Sequence, residues 1–117
     1  TSLMVITSSA PSLASPHPDF DAIARLHKTL ASSARLKVLS ALESSSLSFT
    51  DLMRALGLNP KTLSSGLNLM ADSGLVRKSY PYRVYVITPL GRRILREQVL
   101  ALWESLQLMA GFERRPD

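Results

Sequence analysis

The chain contains no cysteine. Disulfides, thiol redox chemistry and thiolate metal sites are excluded with it. Histidine is scarce too: His17 and His27 are the two present, too few for a three-histidine zinc site. No apolar run approaches the ~18 residues of a membrane span, so no membrane partner is expected. Glycines number five and form no phosphate-cradling loop. No paired carboxylates at useful spacing and no nucleophile with a positioned base can be assembled, so neither an enzyme nor a bound cofactor is expected. Acidic side chains are outnumbered, nine against 14 Lys and Arg, which leaves a net charge of +5 and a pI near 10.1. With 117 residues, 45% of them hydrophobic, what remains is one small basic soluble domain, expected in the cytoplasm, whose first suspected partner is nucleic acid.

The charge is unevenly placed. Residues 1–18 carry no charged side chain apart from whatever His17 holds, and contain five serines, three prolines and the short apolar run Leu3-Met4-Val5-Ile6. The run is too short, and lacks the basic start, for a secretory signal. It is expected to be a flexible arm, with an extra strand or packing on a partner subunit as the rival. From Asp19 to Arg96 there are 12 basic and five acidic residues, a net of +7; from Glu97 onward two basic and four acidic give −2. One part is suited to an anion and the other to something else.

Cap residues and apolar spacing divide the middle of the chain. Asp19 caps a first helix carrying Phe20, Ile23, Leu26, His27 and Leu30, ending near Ser32. Ser33 caps a second, with Leu36, Leu39 and Leu42 inward and Arg35 and Lys37 in water, and Ser44-Ser45-Ser46 ends it. Leu47-Ser48-Phe49 allows one very short strand. Thr50 caps a third helix, buried through Leu52, Met53 and Leu56 and stopped by Gly57. Asn59-Pro60 restarts a fourth, with Leu63, Leu67 and Met70 on its inner stripe and its end before Gly74. Leu75-Val76 and Val84–Ile87 read as a hairpin turning through Ser79-Tyr80-Pro81-Tyr82. Thr88-Pro89 opens a last helix running to about Ala110.

Helix, helix, short strand, helix, turn, helix, hairpin, helix is the order of a winged helix-turn-helix, a mainly α (α+β) fold. Ala34-Arg35-Leu36-Lys37-Val38-Leu39-Ser40-Ala41-Leu42, Phe49-Thr50-Asp51-Leu52, Leu63-Ser64-Ser65-Gly66-Leu67 and Gly74-Leu75-Val76 resemble the ArsR/MarR-like transcriptional regulators. Tyr85-Val86-Ile87-Thr88-Pro89-Leu90-Gly91-Arg92 is similar to that family's Y-x-L-T-x-x-G-R. The resemblance covers about residues 20 to 100. It implies a homodimeric, sequence-specific regulator of double-stranded DNA, with a flexible or partner-packing arm over 1–18, the winged domain over 19–88 and a dimerisation helix and tail over 89–117.

The fourth helix, 60–73, would then enter the major groove. Lys61, Thr62, Ser64, Ser65 and Asn68 form its outer face, with Asn68 suited to adenine, and Thr50 stands at the start of the preceding helix. The wing, 77–84, would lie on the backbone or in the minor groove through Arg77, Lys78, Tyr80, Tyr82 and Arg83. Two positions depart from the family: Gly66 where histidine is frequent, either admitting close approach to DNA or to a neighbouring helix or simply tolerated, and Leu69 where a charge is usual. Arg92, Arg93 and Arg96 crowd the start of the last helix against its dipole, which is a reason to look for an external anion, with an Arg93–Glu97 pair and solvation as the local alternative.

The last helix places Leu95, Val99, Leu102, Leu106 and Met109 at alternating spacings of four and three, widened by Leu100 and Trp103. That surplus apolar surface, with Ile23 on the first helix, predicts a dimer interface, with an intrachain helix capping the first helix as the rival. His27 is expected to be packed or at that interface rather than a ligand. Metal sensing, common among ArsR-type proteins, lacks its ligands here. A small organic effector between the first and last helices is compatible with the sequence, though nothing in it indicates one. The competing function is a winged-helix protein-interaction module in a transcription or replication assembly, favoured by Leu69 and the apolar last helix.

Overall fold

The computed structural model describes residues 17–113. The arm expected over 1–18, with Leu3–Ile6, lies up to residue 16 outside the described residues. The element order is α1 (Phe20–Leu30), α2 (Ser33–Ser44), β1 (Leu47–Ser48), α3 (Phe49–Leu56), α4 (Pro60–Asp72), β2 (Val76–Ser79) and β3 (Val84–Ile87), followed by α5 (Pro89–Ile94). A π-helical stretch, Leu95–Leu100, then leads into α6 (Ala101–Glu113) with helical dihedrals at both junctions, so the expected last helix is one rod with a wider turn inside it.

Side-chain caps set most helix starts. Asp19 Oδ1 accepts from the Ala22 N–H at 3.0 Å, Asn59 Oδ1 from Thr62 at 2.8 Å and Thr88 Oγ1 from Gly91 at 2.9 Å. Two predicted caps move by one or two residues. Ser32, not Ser33, caps α2 by accepting from Arg35, and Ser48, not Thr50, caps α3 by accepting from Asp51. In the second case the ladder decides. Leu47 and Ser48 pair with Tyr85 and Val84, so the chain is still extended at Ser48 and helical at Phe49, and Thr50 becomes a first-turn residue. Gly57 closes α3 at φ 65°, a left-handed conformation that glycine adopts without a Cβ penalty.

The sheet is antiparallel in the order β1-β3-β2, with β2 and β3 forming the wing hairpin. Its inner face and the helices enclose Val38, Leu39, Leu42, Leu52, Leu63, Leu67, Met70, Leu75, Val76, Ile87 and Leu95. α2 therefore buries Val38 beside Leu39 and Leu42, whereas Leu36, expected inward, is half-buried at the side. Only Leu26 and Leu30 of the predicted α1 stripe pack on the core; Phe20 and Ile23 are exposed.

Leu95 corrects the predicted dimer seam. It is 1% exposed and belongs to the core of its own chain, so it has no surface to offer a partner. The four-three spacing continues across the point where the rod leaves the domain, and spacing alone does not mark that point. Arg35 corrects the sequence reading as well. Instead of standing in water it bends back, its Nε donating to the Thr29 carbonyl at 2.6 Å and its Nη2 to Lys28 O at 3.3 Å, so it supplies a donor to Thr29 O and joins the Ala31 N–H on Lys28 O at the end of α1.

Candidate nucleic-acid interface

α4 is held by one face and presents the other. Leu63, Gly66, Leu67 and Met70 are buried. A Cβ at Gly66 would stand 3.1 Å from Arg35 Cγ, so the missing side chain makes room for the arginine stem that ties α1 to α4. Of the two close approaches left open for this glycine, the one to a neighbouring helix is built into the fold.

The outward face consists of two rows at helical i, i+4 spacing, Lys61–Ser65–Leu69 and Ser64–Asn68–Asp72. All six side chains line one shallow hollow of about 460 Å³. Lys61, Ser64, Ser65 and Asn68 are thus brought together, and the N–H groups and dipole of the helix start add positive potential at the Lys61 end. Thr62 is exposed on the first turn but lies off this hollow, as does Thr50 in the first turn of α3. Leu69 and Asp72 belong to the same surface and were not assigned to it from sequence. The spacings 61, 65, 69 and 64, 68, 72 are the signal that includes them.

On the wing, Arg77 is exposed on β2, and Tyr80, Tyr82 and Arg83 are exposed at the turn. Arg83 adopts φ 56°, a left-handed backbone unusual for a residue with a Cβ. Lys78 is different. It is half-buried, with its ammonium 5.7 Å from the Tyr80 ring centroid and 5.5 Å from that of Tyr85, so two π-faces already share its charge. Lys61, Arg77 and Arg83 have no ion-pair or hydrogen-bond partner among the described residues, which leaves their charge available to an external anion.

The arginines at the start of the last rod do not share that freedom. Arg92 Nη1 donates to the Glu43 carbonyl and Arg96 Nε to the Glu43 carboxylate, each at 3.2 Å, while Arg93 pairs with Glu97 at 3.1 Å. Arg93 and Arg96 are thus each paired with a carboxylate inside the protein, while Arg92 is held by a neutral carbonyl and keeps its charge.

A third surface is apolar. Leu102, Trp103, Leu106 and Met109 of α6 are each about half exposed, and Leu108 is more so. Val99, Leu102, Trp103 and Leu106 face Leu30, Ala31 and Leu36 across a groove of about 660 Å³, with His27 and Gln98 on its edge. His27 is exposed there, its Nδ1 3.0 Å from the Ile23 carbonyl. Ile23, Leu100 and Met109 lie outside the groove. Among the described residues, no helix is long and apolar enough to cross a membrane, and no cluster of three or more His, Asp or Glu could hold a metal ion.

Residues 32–78 match the family described as bacterial regulatory protein, arsR family. An uncharacterised HTH-type transcriptional regulator of Methanocaldococcus jannaschii, MJ0361, is 35% identical over 89 residues, covering 70% of this chain and 81% of the relative. Among solved structures, Rv0081 of Mycobacterium tuberculosis superimposes with a TM-score of 0.65 at 25% identity, covering 84% of this chain and 97% of that one. The homodimeric winged helix-turn-helix DNA-binding domain of Mb0332 from Mycobacterium bovis, a possible ArsR-family transcriptional regulator, gives 0.58 at 25% identity, over 88% and 97% of the two chains.

Proposed function

Since the chain belongs to the ArsR family of helix-turn-helix transcriptional regulators, and is a regulator rather than an enzyme, we propose that it binds double-stranded DNA sequence-specifically as a homodimer. α4 enters the major groove, and Arg77, Tyr80, Tyr82 and Arg83 of the wing lie on the backbone or in the adjacent minor groove. Lys61 neutralises phosphate or reads guanine at the start of α4, Asn68 is suited to adenine, and Ser64 and Ser65 contact bases or phosphates. Thr50, Thr62 and Lys78 sit at the margin and contribute at most backbone contacts.

The observation that carries this reading is the division of α4 into a buried apolar face and an outward polar one, together with Arg77 and Arg83 of the wing, whose side chains have no partner among the described residues. The apolar face of α6 supports the homodimer. Trp103 is 55% exposed and Leu102 60% exposed on one chain, an arrangement that favours association. Val99, Leu102, Trp103, Leu106 and Met109 supply that interface, with Ile23 from α1. Two copies then present two recognition helices to successive major-groove faces, ~34 Å apart.

The salt dependence of duplex binding tests the DNA face. Each phosphate neutralised adds about 0.9 to the slope of log affinity against log salt. Lys61→Ala and Arg83→Ala are each expected to lower that slope by about one and to weaken binding, with melting temperature unchanged. Slopes equal to the parent's in both variants would show that the face is misplaced. No duplex binding even at low salt would favour the protein-interaction module.

A further inference from the structure

Leu69 is the one apolar member of the two outward rows of α4. It is 42% exposed and ends the row that begins at Lys61 and passes through Ser65. A single exposed leucine needs no explanation on an ordinary surface. This one shares a hollow with Lys61, Ser64, Ser65, Asn68 and Asp72, the polar rows that α4 turns outward. On its other flank Leu69 borders a second hollow, with Leu26 of α1 and Leu90 of α5, so it stands on the crest between the two.

We propose that Leu69 is a specificity-determining residue of α4 that recognises the C5-methyl group of a thymine in the major groove. The inference rests on the DNA-binding reading above and names one base contact within it. The thymine methyl is the apolar group on the base edges of the major groove; the other groups displayed there are hydrogen-bond donors and acceptors. The ammonium, hydroxyls, amide and carboxylate in the same hollow can answer those donors and acceptors, and none of them gains from a methyl. Leu69 does, because burying a methyl against it removes apolar surface from water. Asn68 is its neighbour in the chain and lies on the adjacent row. An adenine bound by Asn68 and a thymine methyl against Leu69 therefore fall in the same base pair or in neighbouring ones, and an A·T step is expected in each half-site.

The test uses the full chain and the duplex it enriches from a random pool. Each thymine is replaced in turn by deoxyuridine, which removes the methyl and nothing else. For the parent protein, one thymine per half-site is expected to cost about fourfold in affinity, and roughly fifteenfold when both half-sites are changed. Leu69→Ala should bind the thymine and uracil duplexes equally, while Leu69→Met, which keeps an apolar side chain, should retain the preference. The idea is overturned if no thymine methyl matters to the parent, or if the loss is as large in Leu69→Ala. A chain that binds no duplex overturns this inference and the DNA-binding reading together. Binding without a Leu69-dependent methyl preference overturns this one alone.

Discussion

Gly91→Ala is expected to destabilise the protein by about 3 kcal/mol, lowering the melting temperature by roughly 12–24 °C. A Cβ at this position would overlap the backbone oxygen of Leu75 and come within 2.9 Å of Ile87 Cγ1. A backbone atom cannot swing aside as a flexible side chain does. The Leu75 oxygen is also committed: it accepts from the Thr88 N–H at 3.0 Å, and the Thr88 hydroxyl lies 3.1 Å from it and 2.6 Å from the Gly74 oxygen. That hydroxyl in turn accepts from the Gly91 N–H. The start of α5 is therefore pressed onto the turn that ends α4, and Thr88 and Gly91 are the two residues that permit it. A methyl would push the rod away and open the core around Leu75, Ile87 and Leu95. Gly111→Ala is the control: a Cβ there meets nothing within 4 Å, and alanine at a helical site should be neutral or stabilising by up to about 1 kcal/mol. Urea and thermal unfolding of both variants would check this, and a Gly91→Ala melt within a few degrees of the parent would refute the close contact.

The second large effect is expected at the apolar face of α6. If the proposed homodimer forms through this face, replacing Trp103 and Leu106 together by glutamate should leave a monomer in sedimentation or light scattering. It should also weaken binding to a two-half-site duplex by about 100-fold or more, because the second recognition helix is no longer tethered. Both side chains are about half exposed in the single chain, so secondary structure should survive the change. Leu95→Ala makes the informative contrast. It falls on the same four-three spacing but is buried in the core, and its truncation is expected to cost about 2–5 kcal/mol in stability. A double glutamate variant that remains dimeric at micromolar concentration would place the interface elsewhere.

Those two leucines illustrate what the sequence could and could not disclose. The caps at Asp19, Asn59 and Thr88 and the stop at Gly57 were legible because each is a local event, decided within three or four residues. The caps of α2 and α3 were displaced because more than one nearby hydroxyl could serve; at α3 the strand ladder chose Ser48 over Thr50. Leu95 and Leu106 look alike in periodicity; what separates them is where the rod leaves the domain, a tertiary fact. Arg35 was expected in water because α2 alone gives it no partner. Its partners are the last carbonyls of α1, reachable only after the chain turns at Ala31 and Ser32. Gly66 follows from Arg35 and could not be understood before it. On the candidate site, the outward positions of Lys61, Ser64, Ser65 and Asn68 were readable from the inner stripe of α4. The engagement of Lys78 by two tyrosine rings, and the capture of Arg92 and Arg96 by Glu43, required the fold.

Selection of bound duplexes from a random pool, with the number of chains per duplex measured on the enriched sequence, distinguishes a homodimeric reader of DNA from the alternatives. A homodimer reading DNA through α4 should enrich an inverted repeat whose half-sites lie about one helical turn apart, ~10 base pairs centre to centre, and should bind it as two chains. Recovery of no common motif, or of an unrepeated motif held by a single chain, would contradict it.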